Sequence, residues 1–532
     1  MECSCPNPAP VLGRRFLICR ALVVLVLAAL SLYLLWLAQG PVTTARGDVF
    51  GDAYVMMAAK HFEKDGFFRC RFLPVVQPGE LTHPPFYYTH QPPGPYIVAG
   101  IERVLGVREV VSFRVLPVVL TVLSAAFFYA LLESLFDPLL ALLSVVALAC
   151  APALLYWADA LDSYSYDEFF RAAAMFFWIE AVVSVGRRRR RLTALAWVAA
   201  FAEALFSFAY ILYIQVFVWL TALILRSRVN VRTRLAFLLA PVLAFALHFA
   251  QNAVAVGGAE AYRDFRSAFL NRTLELETGV PSLNLYTYPL ELAARIEHWH
   301  MNPIQALALW VLVLFAVARF IGIDPAKRLS RMLAALAVAG SVWWIVFPGH
   351  SAIHHVTTRQ FLPFFALLTG SALYACVLCT FRKGGFPALR ILAAALFVLT
   401  FVWQGHRLRA YTEAQENPPD LAAELLPIKG RLPADAIVLT NYGNHPTLAW
   451  LLDTPTFPLA DLDALPSSLA SRTVRVLEYA PQRLPDSLSP DRWAAIIGQA
   501  SAYPVGDFVL FSPLGAGSRP SVPGSGSNAP PP

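Results

Sequence analysis

The sequence predicts a mainly α-helical, polytopic membrane protein with a small α/β domain near its C-terminus. Of its 532 residues 57% are hydrophobic and only 14% are charged, whereas an average soluble protein has about 25% charged residues. The apolar residues form runs close to the ~20 residues that a helix needs to cross a bilayer. Past residue 404 these runs give way to short β-like segments between polar and Pro-rich pieces.

About eleven segments are candidates for membrane spans. They are 16–39, 113–135, 138–157, 168–186, 193–208, 209–225, 235–256, 303–323, 331–348, 360–380 and 386–404. Residues 192–225 are too long for one span and short for two, at ~1.5 Å of rise per residue. Because both flanks are basic, we interpret this stretch as a hairpin of two short spans.

Basic residues orient the spans. They cluster in short loops at Arg14 and Arg15, at Arg187–Arg191, at 226–234, at 327–331 and at Arg382 and Lys383. Short cytoplasmic loops are enriched in Lys and Arg. An odd number of spans puts all five clusters in the cytoplasm, the N-terminus with them, and the C-terminal domain outside. The net charge of +7 therefore reflects topology, and nucleic acid is not an expected partner. We expect the protein to lie in the inner (cytoplasmic) membrane of a prokaryote.

The orientation leaves four connecting regions on the outer face. They are 40–112, 158–168, 257–302 and 348–360. Residues 1–404 would form the membrane domain and 405–515 a small α/β extracytoplasmic domain. The Gly/Pro/Ser-rich tail 516–532 has a composition typical of disorder. The seven cysteines show no disulfide framework or zinc spacing.

The first outer region opens with "GDVFGDAYVMMAAKHFEKDGFF", which carries Asp48 and Asp52 just after the first span. Apolar residues recur at helical spacing from Asp52 to Asp65, which predicts an amphipathic helix in the membrane interface. Asp52 is a candidate N-cap of this helix. It is also a candidate acid–base group, and that role requires partial burial to lift its pKa toward neutrality.

Other polar residues of the outer regions each have two interpretations. Arg114 begins the second span, and either snorkels to the interface or meets an anion. Asp167 lies in the acidic stretch "ADALDSYSYDE", and either caps the next helix or binds a ligand. Arg359, in "PGHSAIHHVTTRQ", either snorkels or binds a phosphate bidentately. Three aspartates in this stretch, Asp159, Asp162 and Asp167, are compatible with a hard cation, but no metal or cofactor is predicted.

Three motifs in the first outer region, "AYVMMAAKHFEKDGF", "HQPPGPYIVAGI" and "REVVSFRVLPVVL", resemble those of the GT-C superfamily. The resemblance is to glycosyltransferases related to protein O-mannosyltransferases and the lipid A aminoarabinose transferase. That family has two acidic residues before Ala-Tyr, a His-Pro-Pro helix and an Arg-Leu-Pro. Here Gly51 takes the place of the first acidic residue, His90-Gln91-Pro92-Pro93 has one extra residue with His83-Pro84-Pro85 as a rival, and Arg114-Val115-Leu116-Pro117 replaces the last motif.

The resemblance implies a hexosyl- or pentosyltransferase that acts on the outer face of the membrane. It would transfer a sugar from a polyprenyl-phosphate donor to an acceptor, with inversion of configuration at the sugar. The acceptor would be a hydroxyl or similar group on an unidentified protein, lipid or polysaccharide. Asp52 or Asp48 would be the general base. The expected substrate- and lipid-phosphate-binding residues are Arg359, His355, His354, His90, Arg114, Asp167, Tyr54 and Lys60. The alternatives are a transporter or flippase of lipid-linked saccharides, which often shows internal repeats, and a non-catalytic scaffold for the C-terminal domain.

Overall fold

The computed structural model describes most of the chain. The described residues are 10–40, 47–78, 81, 85–225, 229–274, 287–381, 421–443, 445–459, 473–479, 493–494, 497 and 500–512, with the single residues 391, 395, 398, 402, 406 and 409. The tail 516–532 and His83, and almost all of the predicted span 386–404, lie outside them.

Helices make up the described part of the membrane domain. They are α1 (Pro10–Leu37), α2 (Val49–Asp65), α3 (Gly94–Val104), α4 (Val110–Glu133), α5 (Pro138–Ala149), α6 (Pro152–Leu155), α7 (Tyr164–Val183), α8 (Gly186–Phe206), α9 (Ile211–Ile224), α10 (Val231–Val256), α11 (Gly258–Leu274), α12 (Tyr288–Trp299), α13 (Pro303–Phe320), α14 (Ile323–Val346), α15 (Pro348–Ile353), a 3-10 helix (His355–Phe361) and α16 (Leu362–Phe381).

The mainly helical, multi-pass fold class is confirmed. Among the described residues six helices are long and apolar enough to cross a membrane, namely Phe16–Leu37, Val110–Glu133, Val231–Val256, Pro303–Phe320, Ile323–Val346 and His355–Thr380. Helices α5 and α9 are apolar but shorter, while α7 and α8 carry charged side chains near both ends. Each of the first ten predicted spans falls on a helix.

Two details of the predicted spans are settled by backbone breaks. The stretch 192–225 forms two helices, α8 and α9, because the chain is extended at Ser207, where φ is −158°. The predicted span 138–157 was too long, since α5 ends at Ala149 and the chain restarts as the short α6 at Pro152. Proline lacks the N–H that a continuing helix would need, and it fits the first turn of a new one.

The C-terminal domain is built on a five-stranded sheet. Its elements are α17 (Leu421–Lys429), β1 (Ala436–Thr440), α18 (His445–Leu452), β2 (Thr456–Pro458), β3 (Thr473–Tyr479), β4 (Ser501–Val505) and β5 (Phe508–Ser512). The strand order is β2-β1-β3-β5-β4, with β2, β1 and β3 parallel and β5 antiparallel to both of its neighbours. Leu425, Ile428, Leu448, Leu477 and Phe508 form its buried core.

Helix α7 lies at the centre of the bundle and places the candidate site. It packs against α4, α8 and α9, and its Trp178 is fully buried with the indole N–H donating to Thr221. At the N-terminal end of α7 the chain meets α2 and the 3-10 helix. Helix α2 in turn packs against α3 and against α18 of the C-terminal domain.

Candidate active site

A cavity of about 600 Å³ lies at the N-terminal end of α7. Its polar lining has three carboxylates, two arginines and three histidines, which are Asp48, Asp162, Asp167, Arg272, Arg359, His90, His350 and His354. Aromatic side chains supply much of the remaining wall, namely Phe50, Tyr54, Tyr88, Tyr96, Tyr164, Phe208, Tyr210 and Trp343. The cavity thus combines carboxylates with cations over a short distance, and its aromatic faces suit apolar or sugar-like ligands.

Asp48 is the N-cap of α2 and reaches over Gly51 into the cavity. Its Oδ1 accepts a hydrogen bond from the Gly51 N–H at 2.9 Å, and its Oδ2 accepts one from the Tyr164 hydroxyl at 2.5 Å. A Cβ at position 51 would stand 2.8 Å from the Oδ2 atoms of both Asp48 and Asp162. Because glycine has no side chain, Gly51 leaves room for the Asp48 and Asp162 carboxylates to approach each other.

Asp162 is the second of these carboxylates and comes from the acidic loop before α7. It is buried, and its Oδ1 accepts a hydrogen bond from the Ser163 N–H at 2.6 Å. Burial, and next the nearby Asp48 carboxylate, raise the pKa of Asp162 well above its ordinary value. Two close carboxylates do not both ionise readily, so the arrangement favours the neutral form of Asp162.

Asp52 lies in the first turn of α2 and points away from the cavity. The interpretation of Asp52 as the helix cap was wrong, because Asp48 holds that position. Asp52 is 3% exposed, accepts a hydrogen bond from the Leu161 N–H at 2.7 Å and lies 3.5 Å from Arg114 Nη2. Burial raises the pKa of Asp52 to about 7, against the opposing charge of Arg114. Asp52 is buried, as its predicted acid–base role requires, but it does not line the cavity.

Arg114 joins three parts of the chain and does not line the cavity either. It is buried, and its Nη1 donates to the carbonyls of Ala38 and Gly40 at the end of α1, at 3.2 and 2.5 Å. Its other nitrogens face the carboxylates of Asp52 and Asp159. Arg114 is therefore enclosed by the protein's own carboxylates and carbonyls.

Arg359 lines the cavity from the 3-10 helix and is 1% exposed. Its Nη2 donates to the Tyr164 carbonyl at 2.8 Å and lies 3.2 Å from Glu168 Oε1. Glu168 also accepts from the Tyr210 hydroxyl and pairs with Arg171. Among the described residues the Nε of Arg359 has no hydrogen-bond partner. A buried guanidinium with a spare donor at a cavity wall is suited to an anionic ligand.

A second cation, Arg272, lines the cavity from α11. His350 of α15 and His354, the residue after α15, also line the cavity. The imidazoles of His350 and His354 lie 4.5 Å apart, and the Trp343 indole N–H donates to His350 Nδ1 at 3.2 Å. Burial lowers the pKa of both histidines. They therefore act as neutral hydrogen-bonding groups, and Arg272 carries the charge. His355 is exposed and does not line the cavity.

His90 lines the cavity and pairs with a residue for which the sequence gave no role. Its Nε2 lies 2.6 Å from Asp264 Oδ1 on α11, and Thr89 donates to the other oxygen of Asp264. Although burial opposes the effect, hydrogen bonds from His90 and Thr89 lower the pKa of Asp264. The pair ties the segment before α3 to α11.

The three remaining predicted residues have different surroundings. Tyr54 lines the cavity with its ring centroid 5.1 Å from that of Tyr88. Asp167 also lines the cavity and accepts from the Ser163 hydroxyl at 3.2 Å, but Ser163, and not Asp167, holds the N-cap position of α7. Lys60 lies outside the cavity, 3.3 Å from Asp453 of the C-terminal domain and over the ring of Trp450.

Arg272, Asp264 and Tyr164 were the functional candidates that sequence reasoning missed. Asp264 and Arg272 are eight residues apart on α11, so they lie within one broad side of the helix, and this spacing was the signal available in the sequence. Tyr164 gave no such signal. No group of three or more His, Cys, Asp or Glu side chains in the described part of the chain has an arrangement that would hold a metal ion.

The fold is that of a polytopic helical membrane protein, and solved structures of GT-C glycosyltransferases are similar to it. No protein-family model and no curated protein matches the sequence. The solved structures of ArnT, an aminoarabinose transferase from Cupriavidus metallidurans, are similar in the apo state (TM-score 0.57) and bound to undecaprenyl phosphate (TM-score 0.56). Each is 14% identical, and the match covers 92% of this chain and 97% of that one.

A second solved fold is also similar. It is the archaeal oligosaccharyltransferase AglB from Archaeoglobus fulgidus, in complex with an inhibitory peptide and a dolichol-phosphate. Its TM-score is 0.53 at 11% identity, over 86% of this chain and 69% of that one. At such low identities the similarity establishes the fold alone.

Proposed function

We propose that the protein is a glycosyltransferase that uses a polyprenyl-phosphate sugar and glycosylates an acceptor hydroxyl on the outer face of the membrane, with inversion. The observation that carries the proposal is the cavity, where Asp48 and Asp162 lie in one space with Arg359 and Arg272. Structures of the same fold are described as bound to undecaprenyl phosphate and dolichol-phosphate, which supports a lipid phosphate as the ligand of the cations.

Asp48 is the proposed general base. It lines the cavity, whereas Asp52 is enclosed by Leu161 and Arg114. In the reaction Asp48 takes the proton of the acceptor hydroxyl while that oxygen attacks the anomeric carbon of the sugar. The bond from this carbon to the phosphate oxygen breaks on the opposite face, which inverts the configuration. A positioned base of this kind contributes about 10²–10⁴-fold to the rate.

The leaving group is the lipid phosphate, and its charge is met by fixed donors. Arg359 offers a buried Nε without a partner among the described residues, and Arg272 adds a second guanidinium from α11. The neutral His354 can donate one hydrogen bond to the phosphate. Such preorganised donors stabilise charge that develops in the transition state. Asp162 and Asp167, with Tyr54, would contact the sugar or the acceptor.

The proposal places the cavity on the outer side of the cytoplasmic membrane and the N-terminus in the cytoplasm. This orientation keeps the arginine-rich loops, including Arg187–Arg191 at the start of α8, on the cytoplasmic side. The donor sugar would then be presented on the outer leaflet, as a lipid-linked substrate requires.

The test is sugar transfer by purified protein given a panel of polyprenyl-phosphate sugars, comparing Asp48→Asn with Asp52→Asn. Asparagine keeps the shape and much of the capping ability of Asp48 but does not take up a proton at neutral pH. We expect Asp48→Asn to lose at least about 100-fold in kcat, while Asp52→Asn retains most of the activity. Equal loss in both variants would contradict the assignment of the base. If no donor is consumed by the wild type, transport of lipid-linked saccharides becomes the better explanation.

A further inference from the structure

Tyr164 touches both halves of the proposed reaction centre. It is the first residue of α7, and its hydroxyl donates to Asp48 Oδ2 at 2.5 Å. Its backbone carbonyl accepts from Arg359 Nη2 at 2.8 Å, and the Arg359 guanidinium lies 5.3 Å from the centroid of its ring. One residue therefore fixes the carboxylate through its side chain and the guanidinium through its main chain.

The hydrogen bond from Tyr164 restrains the Asp48 carboxylate, which the Gly51 N–H holds at one oxygen. The Gly51 N–H binds Oδ1 of Asp48, and the missing side chain at Gly51 leaves Oδ2 in open space shared with Asp162. A carboxylate held at one oxygen still rotates about its last bond. The Tyr164 hydroxyl holds the second oxygen and stops that rotation.

We propose that Tyr164 is a positioning residue that holds the Asp48 carboxylate in its working orientation, at a fixed place relative to Arg359. This inference rests on the proposed function, because it takes Asp48 as the base and Arg359 as a phosphate ligand. Tyr164 itself transfers no proton in the reaction. Its contribution is geometric and acts through Asp48.

The first experiment compares Tyr164→Phe with the matched control Tyr166→Phe in the transfer assay. Tyr166 lies two residues further along α7, is buried, and stacks on Phe206 with centroids 4.8 Å apart. We expect Tyr164→Phe to lower kcat about tenfold, the value of one hydrogen bond to a charged group. The KM for the donor should change less than about twofold, since the carbonyl that binds Arg359 remains. The control should keep its kcat. An unchanged kcat in Tyr164→Phe overturns the inference, and so does an equal rise of KM in both variants.

The second experiment does not depend on transfer. Thermal unfolding in detergent is measured for the wild type, Tyr164→Phe, Asp48→Ala and the double variant. If Tyr164 acts through Asp48, the loss of stability in the double variant is clearly smaller than the sum of the single losses. Additive losses overturn the inference, whether or not a donor is found. Absence of transfer by the wild type with every donor would instead overturn the proposed function, and the unfolding cycle would still decide the Tyr164–Asp48 contact.

Discussion

Replacing Gly51 by alanine should impair the reaction while the fold is retained. The added Cβ would stand 2.8 Å from Oδ2 of Asp48 and 2.8 Å from Oδ2 of Asp162, and 3.1 Å from the Cβ of Asp162. The two contacts with oxygen are about 0.6 Å shorter than 3.4 Å, the lower limit of ordinary van der Waals contact. Both carboxylates must move, because the new methyl group occupies the space between them.

The size of the effect follows from that displacement. A shift of 1 Å at a reacting group can cost about 100-fold in rate, so a shift of about 0.6 Å predicts a kcat lowered by at least about tenfold. Alanine gains about 1 kcal/mol over glycine in a helix, whereas overpacking costs about 1–3 kcal/mol. The free energy of unfolding should therefore fall by no more than about 2 kcal/mol.

The assay measures transfer kinetics and unfolding in detergent for Gly51→Ala and for Gly258→Ala. Gly258 begins α11, and a Cβ there would have no neighbour within 4 Å, so this control should keep both the rate and the stability. A Gly51→Ala enzyme with wild-type kcat would show that the Asp48 and Asp162 carboxylates do not need their observed positions. That result would refute the reasoning for Asp48 as the base.

Three further predictions concern Arg359, Lys60 and Asp52. Arg359→Lys should raise the KM for the lipid-linked donor about tenfold, because lysine lacks the planar fork for a phosphate; an unchanged KM would remove Arg359 from the phosphate site. Lys60→Ala should keep the donor KM and cost at most about 1 kcal/mol of stability, since its pair with Asp453 is exposed; a large rise in KM would return Lys60 to the substrate site. The raised pKa of Asp52, about 7, means that the folded state binds more protons than the unfolded state between pH 4 and 7. The stability contributed by this group is therefore complete below about pH 4 and is lost as the pH rises through about 7, by a few kcal/mol. The free energy of unfolding of Asp52→Asn, measured across this range, should lack this decrease with pH. Parallel curves for wild type and variant would contradict the prediction.

The sequence predicted the fold well because the fold depends on signals that are local. Apolar length identified the helices, and the basic flanks correctly divided 192–225 into α8 and α9. The β-like runs after residue 404 became β1, β3 and β5 of one sheet. The end of the span at Ala149 was misjudged, although Pro152 gave a signal for it.

The site was less predictable because it depends on which side of each helix meets the other helices. Asp48 and Asp52 are one turn apart and look equivalent in sequence, yet Asp48 lines the cavity and Asp52 packs against Arg114. His354 and His355 are adjacent, but only the former lines the cavity. Asp264 pairs with His90 across 174 residues, and such a pairing is not encoded in local spacing.

The contacts of Arg114 bear on how the protein sits in its membrane. One side chain binds the carbonyls that end α1 and the carboxylate on the first turn of α2. The first turn of α2 is thereby tied to the end of a membrane-crossing helix. In a thinner or thicker bilayer the helix end shifts relative to the lipid headgroups, and Asp48 shifts with it. The reach of the lipid carrier, and not the shape of the cavity, would then limit which membranes support the reaction.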